Sequence, residues 1–256
     1  MRFRVIWMSV IVAVFAAHTS QAQDSVDGFL ARTYTGAAGA TMPYRLFIPD
    51  AAARRRALPL IVYLHGSGGA GNDNLRQISG GNTAGTHLWT SREMQARHPA
   101  FVIAPQIPAG RQWGAPGSDE LAPYAKLLID LLATLSKEFA IDADRIYVAG
   151  QSLGGRGTWD LVSKRPDLFA GGIPVCGDGN TTRIRAARDV AIWAFHGAKD
   201  PVMPVAGSRD LVAALKAVGS RVKYTEYEDV EHDAWVRAFA ERELADWLFA
   251  QTRKRR

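Results

Sequence analysis

The segment Gly150-Gln151-Ser152-Leu153-Gly154-Gly155 sets a serine between glycines, directly after the apolar run Arg145–Ala149 and directly before a helical stretch. This is the pattern of a nucleophile elbow, a sharp strand-to-helix turn that lifts a hydroxyl above the end of a sheet. Bulky neighbours would clash in such a turn, which accounts for Gly150 and Gly154; a plain Gly-rich loop is the alternative reading. A serine hydroxyl is a weak nucleophile at neutral pH, so it needs a histidine to take its proton and an acid to hold that ring. The expected chain order after such an elbow is serine, acid, histidine.

Two histidines follow Ser152. His232 lies in the polar turn Glu228-Asp229-Val230-Glu231-His232-Asp233, between the last predicted strand and the last predicted helix, where the base is expected. His196 ends a strand and opens His196-Gly197-Ala198-Lys199-Asp200, which suits a loop anchor. For the acid, Asp200 lies just past a strand end in Lys199-Asp200-Pro201-Val202, and Asp178 in Gly177-Asp178-Gly179 competes. Asp200 is the expected triad acid, and Asp178 is expected to cap a turn by accepting backbone N–H groups.

Acyl transfer builds negative charge on a carbonyl oxygen and calls for fixed N–H donors. The Leu153 N–H, opening the helix after Ser152, is one candidate. The other lies in His65-Gly66-Ser67-Gly68-Gly69-Ala70-Gly71, at Ser67 or Gly68. That segment lacks the Gly-Lys-Ser/Thr ending of a phosphate loop and the glycine spacing of a dinucleotide site. Trp89 and Trp113 fall in the two long loops and are candidates to contact substrate, with packing beneath the loops as the other reading. His65, His87 and His98 form no recognisable ligand cluster, so no metal and no cofactor is expected. Cys176 has no second cysteine and no base beside it and reads as a small buried residue.

These groups need a scaffold. Tyr44–Ile48, Leu58–Leu64, Phe101–Ala104, Arg145–Ala149, Gly172–Val175, Val190–Phe195 and Arg221–Tyr227 read as strands, and Leu58–Leu64 is apolar enough for a sheet covered on both faces. Leu121–Phe139, Leu153–Ser163, Ser208–Ala217 and Ala234–Ala250 read as helices. The alternation predicts an α/β fold with a mostly parallel central sheet, helices on both faces and one catalytic domain over residues 23–256. The loops from Gly66 to about Pro99 and from Gln106 to Gly117 would form the rim of an open, shallow site. The arginine-rich stretch from Ala51 to Arg56 reads as a solvated turn.

The chain has 256 residues, 47% of them hydrophobic, with one cysteine, which argues against wholesale disorder and against a disulfide scaffold. Its net charge of +6 sits at the ends, in Arg2 and Arg4 and in Arg253–Arg256, around a formally neutral body. That distribution argues against a nucleic-acid partner. Residues 1–22 read as a secretory signal: two arginines, the apolar run Val5–Ala17, then small residues at 20 and 22. Cleavage after Ala22 would leave a secreted or periplasmic protein of 234 residues with no stable membrane insertion.

With Ser152, Asp200 and His232 in this order, the chain resembles the α/β-hydrolases over nearly all of the expected mature length. Leu64-His65-Gly66-Ser67-Gly68-Gly69, the elbow, and Phe195-His196-Gly197-Ala198-Lys199-Asp200 resemble exported esterases of the feruloyl-esterase and polyhydroxybutyrate-depolymerase kind, and secreted peptidases related to them. The resemblance implies an oxyanion role near Ser67 and a Ser152–Asp200–His232 triad. The lone cysteine departs from secreted relatives that carry disulfides. The expected activity is that of a secreted serine carboxylic-ester hydrolase working through an acyl-enzyme, on aryl or short-acyl esters such as those of plant polysaccharide. The substrate would be a small or polymer-attached ester. A serine peptidase and a non-catalytic binding protein on a hydrolase fold are the alternatives.

Overall fold

The computed structural model describes residues 25–50 and 56–253. The expected signal segment, most of the arginine-rich turn and the last three tail residues lie outside the described residues. Nine strands form a single sheet in the order β1-β2-β3-β5-β4-β6-β7-β8-β9. They are β1 (Ser25–Val26), β2 (Phe29–Thr35), β3 (Thr41–Phe47), β4 (Leu58–Leu64), β5 (Phe101–Pro105), β6 (Ile141–Gln151), β7 (Gly171–Val175), β8 (Ala191–Gly197) and β9 (Lys223–Tyr227). From β5 across to β9 every neighbouring pair is parallel, and β1, β2 and β3 add an antiparallel edge.

The parallel part is the part that the sequence predicts, because strands covered on both faces are written as unbroken apolar runs. All seven residues of β4 are buried. Leu58, Leu60, Val62 and Leu64 join one hydrophobic cluster and Ile61 and Tyr63 the other, as the two-residue strand period requires. The first cluster packs α3 (Pro123–Glu138), α4 (Leu153–Lys164) and α5 (Ala206–Lys216) on one face. The second packs α1 (Thr83–Thr90), α2 (Arg92–Arg97), α6 (Trp235–Ala238) and α7 (Leu244–Phe249) on the other.

Three expectations change. β1 and β2 were not expected as strands; Phe-Leu-Ala-Arg-Thr-Tyr-Thr is half-exposed along most of its length, and partial exposure leaves no continuous apolar signal. The rim stretch 66–99 is not irregular throughout, since α1 and α2 lie within it. The helix expected over Ala234–Ala250 is two short helices, α6 and α7, separated by a turn in which Leu244 N donates to Glu241 O.

The second rim loop is fixed by a buried ion pair. Lys164 on α4 lies 2.8 Å from Asp160 Oδ1, with side chains only 3% and 2% exposed. Its ammonium also donates to the carbonyls of Ala115 (2.9 Å) and Glu120 (2.8 Å), and Ala115 N donates to Asp160 Oδ2 (3.2 Å). Every donor of the ammonium therefore has an acceptor, which is the condition for a buried charge to be tolerated. No helix among the described residues is long and apolar enough to cross a membrane. Replacing Lys164 with Met leaves Asp160 charged and buried, so K164M should lose about 3 kcal/mol or more in chemical denaturation. An unchanged denaturation midpoint would show that the pair does not hold the loop.

Candidate active site

Ser152 sits between β6 and α4 with φ 55° and ψ −117°. A non-glycine residue held there carries about 1–3 kcal/mol of backbone strain. The turn is this tight because α4 starts against the ends of its neighbouring strands. A Cβ on Gly154 would lie 2.0 Å from Leu64 O, and one on Gly150 would lie 2.6 Å from the Gly154 backbone. No side chain fits at either position. Ser152 N donates to Val175 O at 2.8 Å, which ties the elbow to the end of β7.

Three segments distant in sequence meet at the hydroxyl. Ser152 Oγ lies 2.9 Å from His232 Nε2, and His232 Nδ1 lies 2.7 Å from Asp200 Oδ2. With Asp200 ionised, the ring proton belongs on Nδ1, and Nε2 is left as the acceptor for the serine proton. Asp200 Oδ1 accepts from Val202 N (2.9 Å) and Met203 N (2.8 Å). Burial pushes the Asp200 carboxyl up, but the bonds from His232, Met203 and Val202 together outweigh it and hold the group below the usual carboxylate range.

Asp178 does not enter this chain, nor does it cap a turn. Both its oxygens are taken by Arg156, at 2.5 Å from Nε and 2.8 Å from Nη2, a bidentate fork. The turn is capped instead by Asn180, whose Oδ1 accepts from Thr182 N and Arg183 N. His196 is completely buried behind Asp200 and does not reach Ser152's side of it.

Further backbone N–H groups lie on the segments beside Ser152. Leu153 is the first residue of α4, so its N–H has no acceptor within the helix. After β4 the chain makes a 3₁₀ turn over Ser67–Gly69, and a Cβ on Gly66 would lie 3.6 Å from Ser152 Cβ. Within that turn Gly66 N donates to Asn82 Oδ1, Gly69 N to Gly66 O and Ala70 N to Ser67 O. The Ser67 and Gly68 N–H groups have no acceptor among the described residues, and both residues are exposed.

Trp89 and Trp113 are corrected. Both are fully buried. Trp89 packs edge-on against Phe249, and Trp113 packs against His65 and donates to its carbonyl. An indole with no exposed surface has nothing to offer a substrate. The aromatic at the site is Trp235, whose ring stands perpendicular to His232 with centroids 5.3 Å apart and whose Nε1 edge faces Gly81. Its only sequence signal was its place one turn beyond the histidine.

His65 was read only as an unclustered histidine. It is buried, with Nδ1 2.7 Å from Gly66 O and Nε2 accepting from Ile107 N at 3.2 Å. It therefore joins the Gly66 turn to the second rim loop. Burial lowers its pKa to about 4, against a smaller opposite effect of the Gly66 carbonyl. Cys176, also buried, has its thiol pushed up to about 12, chiefly by burial. Its sulfur, His196 and Asp200 lie within 4.8 Å of one another, a set that could hold a metal only by giving up bonds already made.

Among known proteins, the phospholipase/carboxylesterase family model matches residues 117–243, from the second rim loop through His232. A crystal structure of a thermostable esterase is 37% identical, with a TM-score of 0.83 over 89% of this chain and 64% of that one. The NocK protein of Nocardia uniformis subsp. tsuyamanensis, whose name carries the word esterase, is 28% identical over 193 residues, which are 71% of this chain and 52% of that protein. The bifunctional acetylxylan esterase/xylanase XynS20E of Neocallimastix patriciarum is 27% identical over 146 residues, 57% of this chain and 20% of that enzyme. The chain thus spans about half the length of the first of these relatives and a fifth of the second.

A histidine that folding keeps neutral costs stability once the unfolded chain protonates it and the native one does not. The folded protein should therefore lose up to about 3 kcal/mol from His65 as pH falls from about 6.5 towards 4, and none of this above pH 7. Urea denaturation across that range should show a flatter decline for His65→Gln than for the parent. Parallel declines would remove His65 from the acid sensitivity.

Proposed function

The chain belongs to the α/β-hydrolase superfamily, and on that premise we propose that it is a serine carboxylic-ester hydrolase with Ser152 as nucleophile, His232 as base and Asp200 as acid. The observation that carries the proposal is the unbroken hydrogen-bonded chain from Ser152 Oγ through His232 to Asp200, set on a strained elbow. Ser152 Oγ attacks the ester carbonyl as His232 Nε2 takes its proton. The carbonyl oxygen becomes an oxyanion beside Leu153 N–H and the Ser67 or Gly68 N–H. His232 then protonates the departing alcohol, and the acyl group stays on Ser152. Water enters, gives a proton to His232 and attacks the acyl carbon, and the acid leaves as Ser152 regains its hydrogen.

Aryl or short-acyl esters, free or attached to a plant polysaccharide, are the substrates we favour. The likeness to a bifunctional acetylxylan esterase/xylanase and the resemblance of the three motifs support this choice. His232 lines an open cavity together with Trp235 and Val236, the latter 56% exposed, which suits a polymer-attached ester better than an enclosed pocket would. Secretion or a periplasmic location rests on the arginine-led apolar segment before Ala22.

A panel of aryl, short-acyl, polyester and peptide substrates tests the reading. Ester turnover should fall about 10⁴-fold or more in both Ser152→Ala and Asp200→Asn. Asp178→Asn should stay within about tenfold of the parent, because Asp178 is spent on Arg156. Ester hydrolysis that persists in S152A would overturn the mechanism. Peptide cleavage without ester turnover would make the protein a peptidase.

A further inference from the structure

Behind the proposed triad lies a second buried histidine. His196, at the end of β8, is fully buried, and its two nitrogens face different chemistry. Nε2 lies 2.8 Å from Met203 O and 3.2 Å from Asp200 Oδ2, the same carboxylate oxygen that holds His232. Both neighbours are acceptors, so a proton must sit on Nε2; a bare nitrogen there would face two lone-pair groups. Nδ1 lies 2.8 Å from Ser208 Oγ, and that hydroxyl on α5 also lies 3.0 Å from Gly177 O. Burial lowers the affinity of the ring for a second proton, more than Met203 and Asp200 raise it, so the ring is neutral with its proton on Nε2, and the single proton of the Ser208 hydroxyl lies between two acceptors, Nδ1 and the Gly177 carbonyl.

We propose that His196 is a positioning residue for the triad acid: its Nε2–H, oriented by Ser208, holds the Met203 carbonyl and flanks Asp200 Oδ2, fixing the carboxylate that orients His232. The proposal rests on the serine-hydrolase reading above. Met203 works from both ends, since its carbonyl accepts from His196 while its N–H donates to Asp200 Oδ1. The next residue along β8 ties the same point to the histidine loop. A Cβ on Gly197 would lie 2.1 Å from Glu231 O, and Ala198 N and Lys199 N donate to Tyr227 O and Val230 O. The strand end that carries His196 therefore also seats the loop that carries His232.

The charged and titratable groups around His196 come from several elements. Asp200 and His232 stand on the triad side, and the Cys176 thiol at the end of β7 approaches the same carboxylate. Glu226, beside His196 in the β8–β9 register, is neutralised by a bidentate pair with Arg209. Asp200 is thus the anion that the Nε2–H meets directly.

Labelling of Ser152 by a fluorophosphonate, followed against pH, tests the inference, because it reads hydroxyl reactivity whether or not the right ester has been supplied. His196→Ala should slow labelling about tenfold or more at pH 7. Without the Nε2–H, more of the Asp200 charge acts on His232, so the acidic midpoint should move up by roughly half a unit. His196→Gln, which can still donate from its amide, should recover most of both effects, and Ser208→Ala should shift the midpoint in the same direction by less. KM for a p-nitrophenyl ester should change little while kcat falls. Labelling of both His196 variants at the parent's rate and midpoint would overturn the proposal. So would an equal slowing in both without any shift of midpoint, since that is what loss of packing alone produces. A parent protein that Ser152-directed reagents fail to label would instead bring down the serine-hydrolase reading.

Discussion

The close approach of α4 to the carboxyl end of β4 governs the site. Gly154 has no room for even one carbon between itself and the Leu64 carbonyl. Because α4 begins there, Ser152 must turn through a left-handed conformation, and its hydroxyl is lifted clear of the sheet. The same contact brings the turn after β4 alongside the elbow, so the Leu153, Ser67 and Gly68 N–H groups share a neighbourhood. An elbow without this contact would leave nucleophile and donors on separate loops. The strain at Ser152 is sustained by what surrounds it, because β4, β6 and β7 are buried where they meet it.

The proton-handling side is built from the opposite end of the parallel sheet. The loops after β8 and β9 are tied together by backbone bonds at Ala198 and Lys199, so Asp200 and His232 sit on segments joined to each other. Asp200 is held at both oxygens, and most of its partners are donors fixed by backbone or by buried rings. Such an acid does not reorganise as charge develops on His232, which is where a preformed site gains over water. Around this centre the Lys164–Asp160 pair and the His65 ring pin the rim loop from two sides. Each does so through buried hydrogen bonds rather than through apolar packing alone.

Two kinds of residue escaped a reading by pattern. Trp89 and Trp113 sit in segments without regular apolar spacing, and a tryptophan there is equally consistent with a rim contact and with a packed core. Burial settles it, and burial depends on which elements lie above the loop. Trp235 was hidden for the converse reason: a tryptophan at the start of the helix expected over Ala234–Ala250 reads as packing, whereas the helix is one turn long and turns the ring onto His232. Asp178 and Asp200 both follow strand ends, and what separates them is Arg156, a residue in neither loop.

The elbow glycines, the order of serine, aspartate and histidine, and the apolar strands of the parallel sheet were all written locally in the chain. Each reflects a constraint acting over a few residues: steric room in a turn, hydrophobic period, the position of a polar residue after a strand. The burial of the tryptophans and the fate of Asp178 depend on contacts between separate elements, Trp89 on Phe249, Trp113 on His65 and Arg156 on Asp178. No local pattern encodes those, because they arise only when the elements that carry the two partners pack together.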